Sequence, residues 1–195
     1  WMILFSFVFI GLYFFVYYFY LQKDRFVLED QTEKIHLIFG ISIGIALLIR
    51  IIMGYYIEGM AGDLGCFKGW GLHAISTPWP DYYDYYSAYM GTAKYWCDYP
   101  PVYIMILALL AGIQTLFNLG HQAFTLLIKM PNIVSDIICC FLIFRLAKRH
   151  LHDSGALGLT LLYAFNPAII INSAVWGQAD AIYTLLALLI VVYIL

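Results

Sequence analysis

Six long apolar segments, separated by short polar connections, constrain the fold of this chain more than any other feature. They cover residues 1–21, 37–57, 101–118, 123–144, 155–171 and 181–195. Apolar residues make up 64% of the 195 positions and charged residues only 11%, whereas soluble domains carry about 25% charged residues. Because a run of roughly 20 apolar residues can cross a bilayer as a helix, the sequence predicts an all-α polytopic membrane protein.

The segment 1–21 lacks the basic start and the small-residue cleavage site of a signal peptide, so we predict a retained membrane helix. The last segment is still apolar at Leu195, and we expect further C-terminal spans in the intact protein. The predicted organisation is an extra N-terminal helix with a cytoplasmic loop over 1–36, then one transmembrane module over 37–195. The net charge of −2 gives no reason to expect a nucleic-acid partner.

Basic residues set the predicted orientation through the positive-inside rule. Six of the ten lie in two connections: Lys23, Arg25, Lys34, Arg145, Lys148 and Arg149. If both connections are cytoplasmic, the loop over about 58–100 is external. Only an odd number of crossings can then return the chain to the cytoplasm, so we predict a re-entrant or interfacial segment at 101–118 and a span at 132–146.

Two local signals divide the next apolar segment. Ser154 is predicted to cap a helix that begins at Gly155. Asn166-Pro167 is predicted to kink or end that helix, because proline has no backbone N–H. The polar segment 172–180 would then lie on the external side, together with the loop over 58–100.

Asp63 stands out in the external loop, in the sequence Gly-Asp-Leu-Gly-Cys-Phe-Lys-Gly-Trp over 62–70. Its glycine neighbours let the backbone turn and approach a ligand closely. A carboxylate there could act as a general base toward an acceptor hydroxyl. A solvated loop acid explains the same residue, and position alone does not separate the two interpretations.

Aromatic residues and carboxylates alternate over 79–103, with Asp98 and Tyr99 near the end. Rings beside carboxylates suit stacking on, and hydrogen bonding to, a carbohydrate. Tryptophan and tyrosine also gather at membrane interfaces, so these rings are equally explained as interfacial anchors.

Four cysteines leave the redox chemistry open. Cys66 and Cys97 fall in the external loop, where an oxidising compartment would permit a disulfide, and two free thiols fit the sequence equally well. Cys139 and Cys140 lie within an apolar segment and are most simply small apolar side chains.

Arg50, Lys129 and Asp136 interrupt apolar segments, although burying a charge in a membrane costs roughly 2.5–3.5 kcal/mol on insertion scales. Lys129 falls at the depth where a lipid-linked phosphate would lie, and an ammonium is a suitable phosphate partner. Arg50 is a candidate phosphate partner for the same reason. The structural alternatives are a Lys129–Asp136 pair and snorkelling of the lysine.

Trp176, Gln178 and Asp180 bring an indole, an amide and a carboxylate to a helix start, where Asp180 could equally be an ordinary cap. The histidines have no paired metal spacing, and zinc, Walker and nucleophile-elbow motifs are absent from the sequence. A divalent cation that accompanies a substrate is left open.

Several short motifs follow one another in a fixed order: Asp63-x3-Phe67-x2-Trp70, Asp98-Tyr99-Pro100-Pro101-x-Tyr103, Lys129-Met130-Pro131 with Asp136, Asn166-Pro167-Ala168, and Asn172-Ser173-Ala174-x-Trp176-Gly177-Gln178-x-Asp180. Over about residues 40–195 this order resembles the bacterial membrane proteins related to PIG-V-type GPI mannosyltransferases, in the GT-C class of glycosyltransferases. The resemblance implies a multi-span plasma-membrane enzyme that uses a polyprenyl-phosphate sugar at an extracytoplasmic active site.

The resemblance also assigns roles. Asp63 matches the catalytic acid of the first large external loop, and Lys129 looks like the basic residue that meets the lipid phosphate. Arg50 is a second phosphate candidate because of its position in an apolar segment. Gln178 and Asp180 look like site residues of the second external loop. The remaining candidate substrate contacts are Trp70, Asp98, Tyr99 and Trp176.

The predicted function is the inverting transfer of a hexose, with mannose as the candidate, from a polyprenyl-phosphate donor to an unidentified acceptor hydroxyl. A first alternative is a non-catalytic membrane subunit that binds a glycolipid. A second is a transporter in which Arg50, Lys129 and Asp136 line a pathway.

Overall fold

The computed structural model describes residues 32–83 and 97–194, and the regular secondary structure in these two ranges is entirely helical. We number the helices from the first one described: α1 Thr32–Tyr56, α2 Ala61–Ser76, α3 Pro101–Phe117, α4 His121–Ala147, α5 Asp153–Ala164, α6 Pro167–Ile170 and α7 Asp180–Ile194. A 3₁₀ turn spans Trp79–Asp81, and a π-helix spans Ile171–Trp176. The predicted all-α class is confirmed for this part of the chain. The predicted helix at 1–21 and the aromatic residues over 84–96 lie outside it.

Two helices are long and apolar enough to cross a membrane, namely α1 from Glu33 and the whole of α4. A third candidate is the pair formed by α5 and the segment Pro167–Trp176, which is bent by 45°. At a rise of 1.5 Å per residue the 27 residues of α4 extend over about 40 Å, more than the roughly 30 Å hydrocarbon core. The 17 residues of α3 extend over only about 26 Å. Its predicted non-spanning placement stays a prediction.

Several predicted boundaries are wrong. The span expected from residue 132 begins at His121, and Pro131 lies inside the continuous helix. Proline is tolerated inside membrane helices because neighbouring groups satisfy the carbonyl that it leaves free. The cap of α5 is His152 rather than Ser154, since the helix begins at Asp153. The break at Asn166-Pro167 is confirmed, because α5 ends at Ala164 and α6 begins at Pro167.

The segment around Asp63, predicted as a loop, is instead the first half of α2. Its buried residues include Leu64, Phe67, Gly71 and Ala74, which repeat at the three- and four-residue spacing of one helix face. The helix ends at Thr77, which is extended and precedes a proline. Burial of this apolar face outweighs the low helix propensity of the segment's glycines.

The described residues fall into two compact units. The first unit holds α1 up to Leu48, the chain over 135–170, and the helix from Ile182. Its core is built from α1, α4 and α5, and the rings of Phe39 and Phe144 stack with centroids 4.5 Å apart. The second unit, over 49–134 and 171–181, contains every residue that the sequence proposed for the site.

In the second unit α2 packs against α3 through a close backbone approach at Gly71. A Cβ atom at this position would lie 2.6 Å from the carbonyl oxygen of Leu107 and 3.2 Å from the Cβ of Ala111. Since real Cβ atoms do not come that close to a backbone oxygen, only glycine allows the two helices to meet at this distance.

We therefore expect Gly71→Ala to force α2 and α3 apart and to destabilise the protein by about 1–3 kcal/mol, as overpacking does. Gly112→Ala is the matched control, because a Cβ on this residue of α3 meets no atom within 4 Å. Its higher helix propensity should stabilise the protein by about 0.5–1 kcal/mol. Thermal unfolding in detergent measures both variants, and equal midpoints for them would contradict the packing described.

Candidate functional site

Asp63 is the centre of a hydrogen-bonded group that joins distant parts of the second unit. Its Oδ2 atom accepts a bond of 2.7 Å from the indole Nε1 of Trp176 and another of 2.7 Å from Nε2 of Gln178, 113 and 115 residues away in sequence. Asp63 lies in the first turn of α2, where the helix dipole stabilises a negative charge. The carboxylate is half-buried, and its Oδ1 atom has no hydrogen-bond partner among the described residues.

Gln178 links this carboxylate to the aromatic residues. Its Oε1 accepts a bond of 3.1 Å from the Tyr99 hydroxyl, which fixes the orientation of the amide and aims Nε2 at Asp63. The Tyr99 ring in turn packs at 5.1–5.4 Å against the rings of Phe67, Trp70 and Tyr103. The four rings form an aromatic cluster beside the carboxylate, as the sequence motifs suggested.

The π-helix positions Trp176 and Gln178. A π-helix is rare and is often found at functional sites. The carbonyl oxygen of Asn172, within it, accepts bonds from the backbone N–H groups of both Gly177 and Gln178. Gly177 has a φ of +81°, a left-handed conformation that glycine adopts without strain. This turn directs the two side chains toward α2.

Asparagine side chains hold the turn from two sides. Asn132 of α4 is fully buried and donates to the Gly177 carbonyl at 3.3 Å. Asn172 donates at 2.9 Å to Oδ2 of Asp180, the first residue of α7. Asp180 is thus attached to the turn through its side chain, and the structure adds both asparagines to the site that the sequence predicted.

Lys129 lies fully buried in α4, and its ammonium group faces the end of α1. It donates to the carbonyl oxygens of Gly54 at 3.2 Å and Ile57 at 2.6 Å. The last carbonyls of a helix lack partners within it and carry a partial negative charge, so a cation there is favourable. These two bonds hold the side chain. A lipid-phosphate role for Lys129 stays a prediction.

Lys68 is a second buried cation, which the sequence argument passed over. It is 3% exposed and donates from α2 to the Thr125 hydroxyl of α4, a residue 57 positions away. Lys68 and Lys129 are close enough to repel each other electrostatically, and the negative charge of Glu58 attracts both. Glu58 itself pairs at 2.6 Å with His121, the first residue of α4. The only signal for Lys68 in the sequence is a lysine between the aromatic residues Phe67 and Trp70, and this signal does not identify Thr125 as its partner.

The remaining sequence candidates divide between buried and exposed positions. Arg50 of α1 is fully buried, and its predicted phosphate role stays a prediction. Asp98 is exposed near Cys66 of α2 and next to Cys97, and both cysteines are free thiols. Burial first, and then the negative charges of Asp63 and Asp98, raise the pKa of Cys66. The disulfide that the sequence left open is not formed.

The structure thus brings five predicted site residues into one connected group: Asp63, Trp70, Tyr99, Trp176 and Gln178. Asp180 is attached to the same turn through Asn172. Within 32–83 and 97–194, no three His, Cys, Asp or Glu side chains are arranged to hold a metal ion. The arrangement offers a hydrogen-bond acceptor, aromatic faces and nearby cations, which are the groups that bind and deprotonate a polyhydroxy substrate.

No protein-family model, curated protein or solved structure matches this chain. The assignment of a function therefore depends on the residues and their geometry.

Burial lowers the pKa of Lys68 and the charge of Glu58 partly opposes this shift, so the stability of the protein should depend on pH through this residue. Between the lowered folded pKa and the ordinary value of 10.5, the unfolded chain binds more protons than the folded one. Stability therefore rises with pH in that window.

Lys68→Met keeps the aliphatic chain but removes this effect. We expect the thermal midpoint of the natural protein, relative to the methionine variant, to rise between pH 7 and a pH of about 10. If the thermal midpoints of both proteins changed in the same way with pH, the pKa of Lys68 would not be lowered by burial, which would contradict the prediction.

Proposed function

We propose that this chain is a multi-pass, inverting GT-C type glycosyltransferase of the plasma membrane. It would transfer a hexose, with mannose the first candidate, from a polyprenyl-phosphate donor to an acceptor hydroxyl on the extracytoplasmic side. The proposal is supported by the helices of membrane-spanning length and by the order of the motifs. The geometry around Asp63 is the observation that carries it.

Asp63 is held as a general base would be. Two N–H donors fix Oδ2 and leave Oδ1 as the acceptor for a substrate hydroxyl. A base of this kind must lie within about 2.6–3.2 Å of the proton that it removes, and a fixed carboxylate can meet that requirement without reorganising. A carboxylate on the solvated surface would be hydrogen-bonded by water and would not require an indole and an amide from a distant segment.

The reaction follows from this placement. As the acceptor O–H transfers its proton to Oδ1 of Asp63, the acceptor oxygen attacks the anomeric carbon of the donor. The bond between that carbon and the phosphate oxygen breaks, and the polyprenyl phosphate leaves with the electron pair. Attack opposite to the leaving group inverts the configuration at the anomeric carbon.

The aromatic cluster is the candidate hexose site. Tyr99 is connected to Asp63 through Gln178, and its ring centroid lies 5.4 Å from that of the buried Trp70. Aromatic faces bind the apolar faces of sugar rings, and the adjacent carboxylate binds hydroxyl groups. Asp98 lies exposed next to Tyr99 and adds a second carboxylate on this side.

The departing phosphate needs positive charge. Lys129 donates to the carbonyls of Gly54 in α1 and of Ile57 just after it, and among the described residues its third N–H group is left for a phosphate oxygen. Arg50 and Lys68 are further buried cations of the same unit. The resemblance assigns the phosphate to Lys129, and Lys68 is the candidate that the structure adds.

Asp63→Asn tests the proposal. The asparagine oxygen can still accept the two bonds from Trp176 and Gln178, so the fold should be kept while the base is lost. We expect transfer of labelled hexose from polyprenyl-phosphate hexose in membranes that carry the intact protein to fall at least about 100-fold. Donor binding should change little.

Asp81→Asn is the matched control, since this aspartate is exposed in the 3₁₀ turn and outside the site. It should retain full transfer. If the Asp63→Asn protein retained full turnover, Asp63 would not be the general base. Donor binding without turnover by the natural protein, with acceptor supplied, would favour the glycolipid-binding subunit instead.

A further inference from the structure

The exposed lysine and arginine side chains of the described residues are gathered in the first unit. They are Lys34 near the start of α1, and Arg145, Lys148 and Arg149 at the end of α4. The other three basic residues of the described ranges, Arg50, Lys68 and Lys129, are buried in the second unit. The exposed and the buried cations of the described residues therefore belong to different units.

Lys148 ties these helix ends together. Its ammonium group lies 2.9 Å from Oδ2 of Asp153 and 3.3 Å from Nε2 of His36, and it stands over the ring of Phe144 at 5.5 Å. The start of α1, the end of α4 and the start of α5 therefore meet at one place. We call the four exposed cations Lys34, Arg145, Lys148 and Arg149 the basic cluster.

Two members of the cluster have side chains that form no hydrogen bond or ion pair with other described residues. Arg145 and Arg149 are exposed, lie about one helical turn apart, and make no side-chain hydrogen bond or ion pair with another described residue. Arg145 lies in the last turn of α4, and Arg149 lies in the turn that follows, two residues after Ala147. Guanidinium groups bind phosphate oxygens through paired N–H donors.

The cluster lies where each helix changes from apolar to charged. On α1 the exposed apolar side chains begin at Leu37, three residues after Lys34, and on α4 they end at Phe141, four residues before Arg145. Since α1 and α4 are the two helices of spanning length, this change marks the boundary between hydrocarbon and headgroups. The α4 helix of about 40 Å is also long enough for its end to emerge from a core of about 30 Å.

We propose that the basic cluster binds the phosphate groups of anionic phospholipids of the surrounding bilayer, with Arg145 and Arg149 as the principal ligands. The site is separate from the Asp63 group and does not depend on transferase activity. It requires only that α1 and α4 cross the membrane. A cluster of about four or more basic residues next to a span is the sequence pattern expected for anionic lipid recognition.

Competitive lipid binding tests this site. The purified natural protein in detergent is given equal amounts of phosphatidylglycerol and phosphatidylcholine with identical acyl chains, and native mass spectrometry counts the bound lipids. We expect phosphatidylglycerol to be preferred. Replacing both arginines, as Arg145→Gln with Arg149→Gln, should reduce the preference by roughly fivefold for each arginine, or about 25-fold for the pair.

Arg145→Lys with Arg149→Lys is the matched control, because it keeps both charges and should keep most of the preference. Raising the salt concentration from about 0.1 M to 1 M should weaken the preference in the natural protein, since the Debye length falls from about 10 Å to 3 Å. Thermal unfolding checks that both double variants are folded, which their exposure predicts. Equal lipid preference in the natural and glutamine proteins, or no preference in the natural protein, would overturn the proposal.

Discussion

The two hydrogen bonds that Trp176 and Gln178 donate to Asp63 hold the candidate site together. They attach the first turn of α2 to the turn after the π-helix, more than 100 residues away in sequence. The left-handed Gly177 directs the two donors to the carboxylate, and buried Asn132 holds the carbonyl of that glycine. If the carboxylate were removed, two N–H donors would lose their acceptor and the aromatic cluster would lose its connection through Gln178.

The buried Lys129 meets a second structural requirement, because the carbonyl groups at the end of a long apolar helix need hydrogen-bond donors. A helix that leaves its last carbonyls unsatisfied in a nonpolar environment loses several kcal/mol for each group. Lys129 satisfies two of them at the end of α1. The ammonium group that the sequence connects with phosphate binding therefore also stabilises the fold, and the structure gives a physical reason for the charge whether or not a phosphate binds.

The sequence predicted the helical class and the candidate spans at α1 and α4, because length and apolar composition determine both. It predicted a loop around Asp63 because the glycines and the acid there are typical of loops, yet the spacing of Leu64, Phe67 and Ala74 already had the helical period. The grouping of Asp63 with Gln178 was predicted from the distribution of basic residues, which placed their two segments on the same side of the membrane. The bond from Lys68 to Thr125 could not be anticipated, since only the packing of α2 against α4 brings these residues together.

The central claim, that Asp63 and the aromatic cluster form a hexose site, is tested most directly by an experimental structure of the intact protein with a non-transferable polyprenyl-phosphonate hexose. Our account predicts the sugar ring against Trp70 or Tyr99, with its anomeric carbon facing the open Oδ1 atom of Asp63 across the space of one acceptor hydroxyl. A hexose bound elsewhere, with Asp63 still held by Trp176 and Gln178 and remote from the sugar, would contradict it.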